Sequence, residues 1–385
     1  MDRKLEVELT EKALRWVDNH LGDYASDVFE NPIKNYTDVE IHNRETDEIF
    51  RKLPQVAAYS CELPNANDFK TIEMAGISIL LTRDNDGQAH AYINVCRHRG
   101  AKLVADYTGS SKRMICPYHG WAYDAHGKLC GVNGADVAFE GMCRVEKALT
   151  PVPIVERHGI IWVIPSAGES SIDIDTVVSP ELGAELDSWN LSDCVVVSRR
   201  PVPANANWKL AVETFMENYH LKKLHEDTLA PYMTWYGTCQ QAFGDNQRIV
   251  YPGHSLEACK GVPQEEWKAF STWGISVLYH LFPSTIMLFL GDHYQMFQIF
   301  PGREPGTSFT MQTIFAPNAR HAEECKEALQ AQSERISMVL DTEDYYQIQL
   351  TESGLRSKGN ESFVFGRNEL PAHFFHKKLS EKLFK

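Results

Sequence analysis

The hydrophobic pattern changes period twice along the chain. In residues 1–24, Ala13, Leu14, Val17 and Leu21 recur at helical spacing, which predicts an amphipathic packing helix with Thr10 as a candidate cap. Asn31-Pro32 and the polar stretch to Arg51 predict an irregular connection. From about Leu53 the period becomes that of strands. Residues 77–82 predict one strand, Asp84-Asn85-Asp86-Gly87 a turn, and residues 89–95 its partner, which ends at Cys96. Residues 114–115 enter a second loop, residues 121–123 leave it, and Asp124-Ala125-His126-Gly127 is the next turn. Residues 152–165 predict a hairpin turning at Arg157-His158-Gly159. His90, His126 and His158 fall within these strands and turns and are expected to be surface or structural groups rather than metal ligands. Ser166-Ala167-Gly168-Glu169-Ser170-Ser171 reads as a boundary. Beyond it, residues 284–289, and residues 295–301 with their return at 308–316, predict antiparallel strands, and residues 319–340 a long helix. The expected fold class is α+β. A helical segment, 1–50, packs on the larger domain; a small antiparallel β domain spans 51–165; the larger domain, 166–385, has an antiparallel sheet covered by helices.

Composition narrows the function classes. At 385 residues the chain has room for two domains with ample core. A formal charge of −14 argues against nucleic acid, which needs a basic face. No apolar run approaches the roughly 20 residues of a membrane span. No apolar signal core follows Met1-Asp2-Arg3-Lys4-Leu5-Glu6, so a cytoplasmic address is expected. The nine cysteines form no regular framework; seven of them, Cys61, Cys130, Cys143, Cys194, Cys239, Cys259 and Cys325, read as ordinary small side chains of a reducing compartment.

The remaining two carry chemistry. Cys96-Arg97-His98-Arg99-Gly100 is followed by Cys116-Pro117-Tyr118-His119-Gly120-Trp121, so each of two loops pairs one thiol with one imidazole. Two cysteines on one iron and two histidines on the other are the ligands of a Rieske [2Fe–2S] centre. Zinc also accepts two cysteines and two histidines, and it remains the alternative, although zinc fingers usually group the cysteines together and the histidines together. The flanking residues, His98-Arg99-Gly100 and Pro117-Tyr118-His119-Gly120-Trp121, resemble the Rieske-type non-haem iron oxygenases.

A second constellation lies in Asn207-Trp208-Lys209-Leu210-Ala211-Val212-Glu213-Thr214-Phe215-Met216-Glu217-Asn218-Tyr219-His220-Leu221-Lys222-Lys223-Leu224-His225. Two histidines and one carboxylate make the facial triad of non-haem Fe(II) oxygenases, with positions left for O2 and water. Residues five apart on a regular helix point about 140° apart, so His220 and His225 share a metal only where the helix bends, widens or ends between them. Asn207-Trp208-Lys209 and the acid, tyrosine and two histidines that follow again resemble the Rieske oxygenase catalytic domain, at about the family's distance from the first motif. Glu343-Asp344, followed by Gly354-Leu355-Arg356-Ser357, resembles the family's third-ligand segment, which matches Asp344 to the carboxylate ligand and leaves Asp341 as its substitute. Read without the resemblance, these acids are a solvated helix start. Gly366-Arg367-Asn368-Glu369 and His373-Phe374-Phe375-His376 also fit the C-terminal pattern of the α subunits.

The resemblance implies a terminal oxygenase α subunit with a [2Fe–2S] cluster on Cys96, His98, Cys116 and His119, a mononuclear Fe(II) on His220, His225 and Asp344, and O2 as co-substrate. It implies NAD(P)H-derived electrons from a separate reductase, possibly relayed by a ferredoxin, because the chain has no Gly-x-Gly-x-x-Gly fingerprint or plant-type ferredoxin cysteine run. It also implies a homotrimer in which a carboxylate links a cluster histidine of one subunit to an iron histidine of the next. The family usually has Asp three residues before the first iron histidine; Glu217 stands there instead, as is common in members acting on quaternary ammonium compounds. Glu213, one turn earlier, reads as structural. The resemblance further implies a small organic substrate, hydroxylated on an aromatic ring or its substituent, or on an N- or O-methyl group with dealkylation. Tyr232, Trp235, Tyr236, Trp273 and Tyr279 are candidates for a cation–π cage, an apolar wall or plain core. The rival class is an electron carrier or redox sensor that uses the cluster alone.

Overall fold

The computed structural model describes residues 1–267 and 274–384. The chain divides into two compact units, one made of Met1–Ile49 with Asp175–Lys385 and the other of Phe50–Ile174.

The smaller unit is built from three antiparallel sheets. One has the order Ala89–Ile93, Ile77–Arg83, Asp68–Met74, Thr108–Ser110. A second pairs Met114–Ile115, Ala122–Tyr123 and Leu129–Gly131, and a third pairs Ile154–Arg157, Ile160–Val163 and Gln55–Tyr59. The alternation in residues 77–82 becomes strand Ile77–Arg83, paired with Ala89–Ile93 across the Asp84–Gly87 turn. Gly87 takes φ +80°, a conformation that costs glycine least. Phe69, Leu80, Tyr92, Trp121 and Tyr123 pack around Cys96 and Cys116 in one core. Lys70 is fully buried; its Nζ donates to both Glu62 oxygens at 2.9 Å and to Ala57 O at 3.0 Å, as a buried charge requires.

The larger unit is organised on a seven-stranded antiparallel sheet in the order Val195–Ala204, Ser308–Ala316, Tyr294–Pro301, Thr285–Phe289, Ser276–Leu281, Asn246–Tyr251, Cys239–Phe243. Its register places Leu278, Leu288, Gln295 and Ile314 in one cross-strand row. The first strand carries Pro201 and Pro203, which a sheet tolerates at its edge because proline donates no ladder hydrogen bond. Those prolines and the arginines beside them hide the strand from a hydrophobic-alternation reading; the short strands Asn246–Tyr251 and Ser276–Leu281 escape it because they are buried along their whole length, polar residues included.

Three elements differ from the sequence expectation. The first helix runs Arg3–Asp18, and Asp2, not Thr10, caps it by accepting from Lys4 N; Thr10 is interior and donates to Glu6 O. Residues 319–340 are not one helix. Ala319–Glu324 stops at Cys325, Lys326–Val339 follows, and a wider π-helical turn, Leu340–Asp344, leads into the helix Tyr345–Leu355. The N-terminal connection is more ordered than its polarity suggests, because Glu45 is a buried partner for the Trp208 indole at 2.8 Å and the Lys209 ammonium at 2.6 Å.

Candidate metal centres

The two cysteine–histidine loops have the same backbone plan. Cys96 N donates to Ala101 O and Gly100 N returns to Cys96 O; Cys116 N donates to Trp121 O and Gly120 N returns to Cys116 O. Each turn closes on a glycine at positive φ, +76° and +72°. A Cβ on Gly120 would stand 2.6 Å from Asn133 Nδ2. Both thiols are buried, and the Tyr123 hydroxyl lies 3.5 Å from Cys96 Sγ while accepting from Arg97 N at 3.0 Å. Both imidazoles reach the rim, His98 stacks on Trp121, and the two Nδ1 atoms face each other at 3.1 Å. A single tetrahedral zinc would draw its donors to within about 4 Å of one another. Among the described residues only two groups of three or more donors lie mutually within 4.8 Å, and neither contains these cysteines or histidines. The thiols inside and imidazoles outside fit the two chemically distinct irons of a [2Fe–2S] cluster better than one ion.

One of the two tight groups is His220, His225 and Asp344. The helix Trp208–Glu213 ends before the pair, and a single turn, Leu221–Leu224, separates them. His225 leaves helical geometry at φ −102°, ψ 28°, so the two rings converge, 5.1 Å between centroids. The π-helical turn brings Asp344 to them, with its Oδ1 3.1 Å from His225 Nε2 and 3.7 Å from His220 Nε2. Each ring's other nitrogen meets an acid: His220 Nδ1 bonds Glu217, and His225 Nδ1 bonds Glu343 Oε2 at 2.5 Å. The Nε2 atoms are thereby the free donors, the pattern by which acids orient metal-ligating histidines. Burial depresses both imidazole pKa values, but Glu217 and Asp344 around His220, and Asp344 and Glu343 around His225, more than offset it and leave both raised. Such excess negative charge suits a cation, and two imidazoles with one carboxylate suit Fe(II).

Asp341 is elsewhere: exposed and paired with Arg200 at 2.8 and 2.9 Å, it takes no part in the group. Glu213 holds the Tyr36 hydroxyl at 2.8 Å and His376 Nε2 at 2.9 Å, a buried network that fixes the end of its helix. Glu369 sits among Glu217 and Glu213, and burial with that repulsion pushes its carboxyl up to about 7.

His220, His225 and Asp344 line a cavity of about 610 Å³. Of the five candidate aromatics, Tyr232 lines it; Trp273 lies outside the described residues. Trp235 and Tyr236 are not in the wall, and Tyr279 is core, its hydroxyl bonded to Glu185 at 2.8 Å. The aromatics in the wall besides Tyr232 are Phe215, Tyr251 and Phe297, with Phe215 and Phe297 4.6 Å apart. Sequence reasoning missed these, and it missed Glu343 as the partner of His225. Glu343 stands next to Asp344, and its adjacency was the available signal. Gln295 and Phe297 alternate on one strand, but only the sheet register shows which face they share.

The second tight group is Asp84, His90 and His126. Asp84 Oδ1 accepts from Asp86 N and Gln88 N, and Oδ2 meets His90 Nε2 at 2.7 Å. The group ties the Asp84–Gly87 turn to the Asp124–Gly127 turn, with Thr82 Oγ1 donating across to Ala125 O at 2.7 Å.

Both candidate centres lie in stretches of the chain that match known families. Residues 54–144 match the Rieske [2Fe–2S] domain, and residues 191–384 match the ring hydroxylating alpha subunit (catalytic domain). The chain is similar to the glycine betaine monooxygenase oxygenase subunit of Pseudomonas aeruginosa (strain UCBPP-PA14), 30% identical over 54% of this chain and 47% of that one. It is similar to the carnitine monooxygenase oxygenase subunit of Escherichia coli (strain K12), 34% identical over 50% and 51%. It is also similar to the anthranilate 1,2-dioxygenase large subunit of Acinetobacter baylyi, 27% identical over 49% and 41%. The chain thus spans about half the length of the curated relatives it matches. The fold is that of a quaternary ammonium Rieske monooxygenase in complex with L-carnitine, with TM-score 0.77 and 20% identity over 94% of this chain and 96% of that one. It is also that of the naphthalene 1,2-dioxygenase from Rhodococcus sp., with TM-score 0.70 and 17% identity over 98% of each.

Proposed function

We propose, from the premise that the chain belongs to the family of ring-hydroxylating alpha subunits, that it is a terminal oxygenase component acting on a small organic substrate. The observation that carries this is the gathering of His220, His225 and Asp344 on the wall of a largely apolar cavity, in a chain that also holds the Cys96, His98, Cys116 and His119 loops. Fe(II) bound there would supply O2 activation, with electrons entering through the [2Fe–2S] cluster from a separate NAD(P)H-dependent reductase. Balanced for a monooxygenation, substrate C–H, O2, NAD(P)H and a proton give C–OH, water and NAD(P)+.

The chain's own residues hold, orient and exclude. Glu217 and Glu343 fix the rings of His220 and His225 so that Nε2 of each faces Asp344. Phe215, Phe297 and Leu288 wall the cavity and keep water from the reacting carbon. Glu217 also serves as the link between the iron site and the cluster histidines, His98 or His119, of a neighbouring subunit in a homotrimer. The acid is bonded to His220, and both cluster imidazoles are partly exposed.

Two measurements test the function. About three irons and two sulfides per chain are expected, whereas two irons would make the protein an electron carrier. Chemically reduced enzyme, freed of reductant and given O2 with a panel of aromatic acids and methylated amines, should yield one hydroxylated or dealkylated product by mass spectrometry. An iron-replete, reducible protein that yields none from any member would count against the oxygenase reading.

A further inference from the structure

Among the described residues, the cavity wall contains one arginine and no lysine. That arginine is Arg335. It lies on the helix Lys326–Val339, where Gln332, Arg335, Ile336 and Val339 share one face at helical spacing and all line the cavity. The same helix runs into the π-helical turn that ends at Asp344. Nine residues at 1.5 Å each place Arg335 about 13 Å before Asp344 along that path. The span is that of one small molecule with its side-chain anchor.

The charge on Arg335 is uncompensated. Arg83, Arg200 and Arg248 each pair with a carboxylate. Arg335 forms no ion pair among the described residues; its Nη2 reaches Thr228 O at 3.5 Å, and its Cζ lies 5.2 Å from the centre of the Tyr232 ring. The acids on the cavity wall are committed elsewhere: Glu217 and Asp344 to the histidine pair, and Asp292 to His293 at 2.7 Å. Much of the remaining wall is apolar, including Leu229, Ile275, Leu278, Leu288 and Leu290. A guanidinium lying over an aromatic face keeps its in-plane N–H edge free, and that edge matches a carboxylate with two parallel hydrogen bonds.

We infer that Arg335 anchors the carboxylate of the substrate. This rests on the oxygenase reading and names its substrate class: a small carboxylic acid whose apolar or methylated end faces His220, His225 and Asp344. Arg335 is exposed, so solvent moderates the attraction, and the expected preference is about tenfold rather than thousandfold. A cation without a carboxylate has nothing to pair with the Arg335 guanidinium.

The test measures binding without turnover. Iron- and cluster-loaded enzyme, with no reductant present, is titrated by calorimetry with two matched pairs at fixed ionic strength: benzoate against benzamide, and glycine betaine against choline. One carboxylate at least should bind about tenfold tighter than its partner. Arg335→Gln should bring that pair to within about twofold, and Arg335→Lys should keep part of the difference, with iron content unchanged in both. Equal affinity within both pairs, absence of carboxylate binding at millimolar concentration, or a preference that survives Arg335→Gln would overturn the inference. The oxygenase reading fails separately: an enzyme that binds carboxylates through Arg335 but forms no product from reduced protein and O2 has the subsite without the activity.

Discussion

Replacing Glu343 by Gln separates the charge of this residue from its shape. Glu343 Oε2 accepts from His225 Nδ1 at 2.5 Å and from Thr228 Oγ1 at 2.7 Å. It therefore fixes the tautomer that leaves His225 Nε2 toward Asp344, 3.1 Å away. The amide can still accept from the ring but carries no charge. A hydrogen bond to a charged group is worth about 1.5–3 kcal/mol and a neutral one about 0.5–1.5 kcal/mol, so the change removes roughly 1–1.5 kcal/mol of support for the ligand. That corresponds to about tenfold in iron affinity, at the lower edge of the 10–100-fold typical of residues behind a metal ligand. Iron retention against a competing chelator, followed by iron content, measures it directly. The cluster absorbance is the internal control, because Glu343 lies in the other compact unit. Thr228→Val should show a smaller loss of the same kind. Iron retention within about twofold of the parent in Glu343→Gln would refute the argument that this acid orients His225.

Three further outcomes are expected. Glu217→Gln, reconstituted with excess Fe(II) to offset a loss of iron affinity like that of Glu343→Gln, should keep the cluster but uncouple cluster oxidation from product in a single turnover; a normal yield of product per cluster oxidised would remove Glu217 from the link. His280 is fully buried, and burial pushes its pKa down to about 4 from 6.5, with a smaller opposing effect from its bond to Pro283 O. Its neutral form contributes stability that is complete above pH 6.5 and is lost as pH falls toward 4, up to about 3 kcal/mol over that interval. Thermal unfolding of the parent should therefore fall more steeply on acidification than that of His280→Asn, and parallel slopes would contradict the assignment. Lys209→Met strands the buried Glu45 carboxylate and should cost about 3–5 kcal/mol in chemical denaturation, whereas pairing it with Glu45→Gln should recover part of the loss.

The local chemistry was legible because it is written in short stretches. Cys96 to Trp121 contains both cysteine–histidine loops, and the glycines that close them stand in the motif itself. His220 and His225 are five apart, and helix geometry asked for a bend, a widening or an end between them; the turn Leu221–Leu224 between them is helical, and the departure comes at His225 itself, at φ −102°, ψ 28°. Strands 77–82 and 308–316 showed because each alternates or runs apolar between clear turns.

What the sequence left open depends on which distant residues meet. Asp341 and Asp344 are both acids at a helix start, and residue type does not choose between them. A π-helical turn does, by changing the angular step so that Asp344 faces the histidines while Asp341 pairs with Arg200. The choice among cage, wall and core for the candidate aromatics was open for the same reason. Tyr279 is as aromatic as Phe297, but the fold gives it to Glu185 and the core and gives Phe297 to the cavity. Nothing in the sequence distinguishes Arg335 from the other charges of residues 319–340; only the tertiary structure shows it on the cavity wall, with no ion pair among the described residues. Periodicity and motif spacing are properties of neighbours along the chain, so the sequence determined the elements and ligand types. Register, helix phase and the pairing of charges are set by packing between segments far apart, and these decided which residues line the site.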